Sequence, residues 1–116
     1  MDVGAYSPLT ARLKFDGGGS STAFASATGS RWNLKSGLIT WANLDTSTTL
    51  SFYEFNATNS ALFLTMMATA THGFVTFAFP DFGVQASSSY ASRMVFNVGS
   101  VAGTVCGLFV GFQTGA

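Results

Sequence analysis

Short runs of alternating polar and apolar residues occupy much of this chain, and a period of two predicts half-buried β-strands. Residues 12–15 alternate strictly, and residues 31–34 repeat the pattern. The segment 48–55 is rich in β-branched and aromatic residues and predicts the best strand of the chain. Loops rich in Gly, Ser, Asn and Asp, such as 16–20 and 56–60, separate these runs.

Turn signals recur at intervals of about 8–12 residues, the spacing typical of antiparallel all-β domains. No shift in composition marks a second domain, and a length of 116 residues suits one hydrophobic core. We therefore predict an all-β fold, an antiparallel β-sandwich or barrel of jelly-roll-like type. It forms a single domain over residues 1–116, with residues 1–10 as an N-terminal arm.

One segment, 61–70, is compatible with either a short helix or a buried strand. Its Leu, Met and Ala residues favour the helix on intrinsic propensity. The prediction is therefore an all-β domain with one short helix near 61–70.

Glycines recur at intervals of four near the C-terminus, and three interpretations remain open. On a strand all of them share one face, which permits close approach of another backbone or an aromatic ring, or they are merely tolerated in a twisted strand. On a helix they give a small-residue face, and the uncharged segment 94–112 is long enough to span a bilayer. The strand is favoured, because each glycine costs a helix about 1 kcal/mol relative to Ala. The glycines are Gly99, Gly103, Gly107, Gly111 and Gly115.

Composition excludes several classes of protein. Charged residues make up 9% of the chain and hydrophobic residues 47%, against typical values of about 25% and 45–50%. That balance is the opposite of intrinsic disorder, and a net charge of +0 offers nucleic acid no basic surface. A surface with so few charges is typical of a subunit whose faces are covered by neighbours.

Candidate chemistry is sparse. His72 and Cys106 are the only residues of their types, so no site with two imidazoles, no disulfide within the chain and no zinc site of several cysteines is expected. The acidic residues are scattered beside turn residues, where they cap turns. We predict no catalytic, cofactor-binding or metal-binding residue, and no cofactor. Because the N-terminal residues lack an apolar secretion signal, we expect synthesis in a reducing cytoplasm, or export by a route other than cleavage of a signal peptide.

Assembly contacts are the site type that the sequence favours. They are expected in the N-terminal arm and the C-terminal strand 101–112, together with the two tryptophans, because aromatic and apolar residues are enriched at subunit contacts. The candidate contact residues are Tyr6, Pro8, Trp32, Trp41, Val101, Val105, Phe109 and Phe112.

The segment 46–53, Thr-Ser-Thr-Thr-Leu-Ser-Phe-Tyr, resembles a strand of lambda-type phage head-decoration proteins. The length and the Ser, Thr and Gly content are also similar to small phage capsid-cementing proteins. This resemblance implies a small β-rich cement protein, typically trimeric, that sits on the capsid surface and stabilises the shell.

The sequence thus predicts a non-enzymatic structural virion protein, a capsid decoration or other coat-associated subunit. Its expected partners are copies of itself and a major capsid or other coat protein, with no nucleic acid. Two alternatives are a small membrane protein anchored by a helix over 94–112 and a carbohydrate-binding β-module that uses Trp32 or Trp41.

Overall fold

The computed structural model describes residues 6–56, 59–69, 71–87 and 91–115, and within these ranges every regular element is a β-strand. The strands, in chain order, are β1 Tyr6–Asp16, β2 Gly19–Ala25, β3 Ser30–Ala42, β4 Thr48–Asn56, β5 Asn59–Ala68, β6 Gly73–Ala78, β7 Val84–Gln85, β8 Ser92–Val98 and β9 Thr104–Gly115.

Two antiparallel sheets form the domain. Sheet A has the strand order β1-β9-β3-β6, with the short β7 also paired to β3, and sheet B has the order β2-β8-β4-β5. The chain crosses repeatedly between the sheets, so that β9 returns to lie between β1 and β3. This is a jelly-roll sandwich, and the all-β, antiparallel prediction is confirmed.

A cluster of phenylalanine rings fills the space between the sheets. The ring of Phe52 on β4 lies 4.9 Å from that of Phe96, 5.2 Å from that of Phe109 and 5.6 Å from that of Phe77, measured between centroids. Phe52, Phe96 and Phe109 are fully buried. Each such pair adds about 0.5–1.5 kcal/mol to the stability gained by burying its surface. The cluster therefore joins both sheets through four strands.

The helix predicted near 61–70 is absent, and that part of the prediction is wrong: the segment lies in β5, except for its last residues. β5 pairs with β4 along its length, and a bulge at Phe63 shifts the register between Leu62 and Leu64. Leu64 and Met66 then turn toward sheet A while Thr65 and Met67 face outward. Pairing with the preceding strand outweighs the intrinsic helix propensity of Leu, Met and Ala.

The membrane helix considered over 94–112 is also wrong, because this segment forms β8, a loop and most of β9. Nowhere in the described ranges is there a helix long and apolar enough to span a membrane. Gly107, Gly111 and Gly115 lie on β9, whereas Gly99 and Gly103 lie in the loop before it. A Cβ at Gly107 would meet the Phe109 ring at 2.7 Å, and one at Gly111 would collide with the Asn33 carbonyl oxygen. Close approach of rings and backbone, the first strand interpretation, is confirmed at these two positions.

A chain of hydrogen bonds ties β3, β8 and β4 together at one end of the sandwich. The Trp32 indole nitrogen donates to Ser92 Oγ (3.1 Å), which donates to Glu54 Oε2 (2.8 Å). The same carboxylate oxygen accepts from the Ser87 backbone N–H (2.8 Å) and hydroxyl (3.0 Å). Because Trp32 and Ser92 are fully buried, these bonds satisfy polar groups that burial would otherwise leave unpaired.

Candidate assembly surface

The outward face of sheet A carries a group of apolar side chains, here called the apolar strip. The antiparallel register places Leu108 of β9 directly beside Leu38 of β3, and Cys106 one step along beside Thr40. Thr40 in turn pairs with Phe74 of β6. The strip consists of Leu38, Phe74, Phe82, Cys106, Leu108, Val110 and Phe112.

Two members of the strip are more than half exposed, and two others are about two-fifths exposed. Phe74 is 70% exposed, Phe82 57%, Val110 41% and Leu38 37%. Large apolar side chains grouped on one face of a small domain are typical of a surface that another protein covers. The strip is therefore the candidate assembly surface.

A shallow hollow of about 290 Å³ opens in the strip where β1, β9 and β3 lie side by side. Leu38, Cys106 and Leu108 form its apolar part, and Arg12 and Lys14 of β1 stand at its rim. Lys14 Nζ lies 4.0 Å from Asp16 Oδ1, a pair in which both side chains are well exposed and which therefore contributes little stability. The hollow thus combines an apolar floor with a cationic edge.

A tight turn, 79–83, projects beside the strip and carries Phe82. Lys35 Nζ donates to the carbonyl oxygens of Phe79 (2.6 Å) and Asp81 (2.7 Å), and the Gly83 N–H donates to the Pro80 carbonyl (3.0 Å). Asp81 has a φ of 56°, in the left-handed region that Asp tolerates better than most residues. The Phe82 ring packs against that of Phe112 with centroids 6.3 Å apart. An exposed aromatic is therefore held on a fixed turn.

Four of the eight candidate contact residues lie in the core of the sandwich. Trp32, Val105 and Phe109 are fully buried and Trp41 is 7% exposed. On β9 the odd-numbered residues 105–111 point inward and alternate with the outward Cys106, Leu108 and Val110. These four side chains stabilise the fold, and in the folded domain they are covered by the domain itself.

The tryptophans also bear on the carbohydrate alternative. The Trp32 indole N–H is bonded to Ser92 Oγ, and the Trp41 indole N–H donates to the Thr69 carbonyl oxygen at 2.8 Å. With both rings buried and both N–H groups paired inside the domain, neither residue offers a stacking surface to a sugar ring.

The remaining candidates lie at or near the surface. Pro8 is exposed and pairs across the ladder with Phe112, so these two residues are neighbours on the outward face of sheet A. Val101 is half-buried in the loop before β9 and packs against the core. Tyr6 pairs with Thr114 at the start of β1, and its side chain lies outside the described part of the structure. Of the arm predicted over 1–10, residues 6–10 belong to β1 and residues 1–5 are outside the described ranges.

Six strip residues are not among the candidate contact residues: Leu38, Phe74, Phe82, Cys106, Leu108 and Val110. A signal for three of them was available, since alternation along β9 places Cys106, Leu108 and Val110 on the same face as Phe112. The pattern alone did not say which face of that strand points outward, because both faces are largely apolar or small.

Sheet B has a different outward face. The Arg93 guanidinium lies 5.2 Å from the centroid of the Phe55 ring, a cation–π contact. Ser20 Oγ donates to Asn97 Oδ1 at 2.6 Å. Leu62 is 52% exposed and Met67 59%; both lie on the edge strand β5, with the exposed Thr65 of the same strand between them. This face provides matched exposed positions for control substitutions.

Comparison with known proteins finds similarity at the level of structure. No protein-family model and no curated protein sequence matches the chain. A chain in the acid-stable capsid structure of Helicobacter pylori bacteriophage KHP30 is similar over 97% of this chain and 94% of that chain, with 16% identity and a TM-score of 0.50. That match shows a shared fold.

Weaker matches are found in infectious bursal disease virus. A chain of the Gt strain structure matches with 11% identity and a TM-score of 0.36, over 96% of this chain and 38% of that chain. A chain of the T13 viral particle of the same virus matches with 12% identity and a TM-score of 0.33, over 95% of this chain and 39% of that chain. This chain spans less than half of those two longer chains.

Proposed function

We propose that the chain is a non-enzymatic structural subunit of a virion, and that a neighbouring subunit covers its apolar strip. The observation that carries this proposal is the strip itself, because exposed apolar side chains are grouped on one regular sheet face. Burying apolar surface stabilises an assembly by about 25 cal/mol per Å² before the costs of association.

Two further observations support a role in a shell. The fold is shared with a chain of a phage capsid structure over nearly the full length of both chains. The ten charged side chains of the sequence, five basic and five acidic, leave much of the surface uncharged, and interfaces between subunits are depleted of charge in the same way.

Within that role, we favour the decoration or cement class, on the capsid surface. The resemblance of residues 46–53 to a head-decoration strand supports this choice, as does the small size of the domain. Its partners are then further copies of the chain and a coat protein. By binding where coat subunits meet, the subunit stabilises an existing shell.

Binding to shells tests the proposal. Purified chain is mixed with shells of its source virus that lack it, the shells are sedimented, and the bound chain is quantified. We expect saturable binding to a fixed number of sites per shell. Chain that stays in the supernatant at all concentrations would contradict a role as a shell subunit.

A further inference from the structure

Two features of the apolar strip have complementary shapes. The hollow between β1, β9 and β3 is open and apolar at its floor, and Phe82 stands out from the turn 79–83 with more than half of its surface exposed. The volume of the hollow, about 290 Å³, is sufficient for one aromatic side chain. The hollow is therefore a candidate socket and the Phe82 ring a candidate knob.

The charges next to these features are also complementary. Arg12 stands at the rim of the hollow, and within the described ranges its guanidinium has no hydrogen bond or ion pair. Asp81 directly precedes Phe82, and its exposed carboxylate likewise has no partner among the residues that the structure describes. An acid beside the knob and a base beside the socket would meet when the knob enters.

The knob is also held in place before any contact is made. Lys35 fixes two carbonyl oxygens of the turn, and the backbone of Phe79 donates to the Lys35 carbonyl at 2.8 Å. A turn whose backbone is already fixed loses little conformational entropy on binding, which raises the affinity available from a small contact.

We propose that Phe82 of one copy inserts into the hollow of a second copy, with Asp81 of the first beside Arg12 of the second. This inference rests on the proposed function and names the neighbour that covers the strip. The knob and the socket are different patches on one chain, so each copy offers both halves of the contact. Contacts of this kind build rings when the rotation closes.

Disulfide trapping tests the contact directly, because native Cys106 lines the hollow. A Phe82→Cys variant, at a concentration above the raised Kd that loss of the ring predicts, is treated with oxidised glutathione, which accepts two electrons and two protons from two thiols and becomes two molecules of glutathione as one S–S bond forms. We expect a covalent bond between position 82 and Cys106 of a second copy, identified by peptide mass spectrometry. Leu62→Cys, at a similarly exposed position on sheet B, is the control and should not cross-link to Cys106. Equal cross-linking of both variants, or of neither, would overturn the proposal.

Charge reversal provides a second readout that does not depend on thiol geometry. Arg12→Asp and Asp81→Arg should each weaken self-association about tenfold in sedimentation equilibrium, and the double variant should restore it.

Phe82→Ala should raise the Kd about 30-fold, equivalent to about 2 kcal/mol, whereas Leu62→Ala should leave it unchanged. Self-association that none of these substitutions alters would overturn the contact, as would a wild-type chain that stays monomeric. A monomer that still binds shells would overturn only this contact and leave the proposed function standing.

Discussion

The indole N–H of Trp32 donates a hydrogen bond to Ser92 Oγ across 3.1 Å inside the sandwich. The Ser92 hydroxyl in turn donates a hydrogen bond to Glu54, whose carboxylate also accepts one from the backbone N–H of Ser87. β3 of sheet A is thereby joined to β8 and β4 of sheet B through polar atoms as well as through the phenylalanine cluster.

Ser92→Ala is expected to destabilise the fold by about 1–3 kcal/mol, because it leaves the buried Trp32 N–H without an acceptor. Chemical denaturation followed by tryptophan fluorescence measures the change. Ser20→Ala is a suitable control, since its hydroxyl bonds to Asn97 on the exposed face of sheet B and its loss should cost far less. A Ser92→Ala protein as stable as wild type would show that the hydrogen-bond chain is not needed for stability.

Gly111→Ala is expected to destabilise the fold by about 1–3 kcal/mol through overpacking. The added Cβ would collide with the Asn33 carbonyl and lie 3.2 Å from the Phe24 ring. The neighbouring Val110→Ala changes an outward side chain and should cost less than about 1 kcal/mol. Thermal unfolding of the two variants compares them, and equal losses would contradict the inward orientation of Gly111.

The strand architecture could be predicted from the sequence better than the residues of the exposed surface could. Alternation and turn spacing were sufficient for the sandwich because a residue such as Phe52 lies in a strongly strand-forming segment whose period fixes its face. The same reasoning assigned Val105 and Phe109 to contacts, since an apolar strand can bury either face and the partner sheet decides which. The helix expected near 61–70 is wrong for a related reason. β5 forms because it pairs with β4, and local propensity carries no information about that pairing.

The candidate surface was harder to predict because it is assembled across strands. Leu38 and Leu108 are 70 positions apart in the chain and become neighbours through the register of β3 and β9. No local motif signals that relationship. Phe82 is exposed on the turn 79–83, to which the distant Lys35 donates hydrogen bonds.

Acrylamide quenching is expected to be weak for the native protein, because both tryptophans are buried. Unfolding in denaturant should restore full quenching, which serves as the internal control. Adding glycans should leave the tryptophan emission unchanged if Trp32 and Trp41 act only in the core. A glycan-dependent shift in emission would revive the carbohydrate-binding alternative.

Leu38→Lys and Val110→Lys are expected to leave the melting temperature nearly unchanged, since both side chains are already exposed. The same substitutions should weaken binding to neighbouring subunits about tenfold or more, because they place a charge in the apolar strip. Leu62→Lys on sheet B is the matched control for both effects. Light scattering reports the oligomer mass and calorimetry the melting temperature.

The central claim, that this chain is a shell subunit acting through sheet A, is tested most directly by quantitative co-sedimentation with shells that lack it. The wild-type chain and Leu62→Lys should bind saturably, and Leu38→Lys and Val110→Lys should lose binding. Wild-type chain that never sediments with shells, or strip variants that bind as well as wild type, would contradict it.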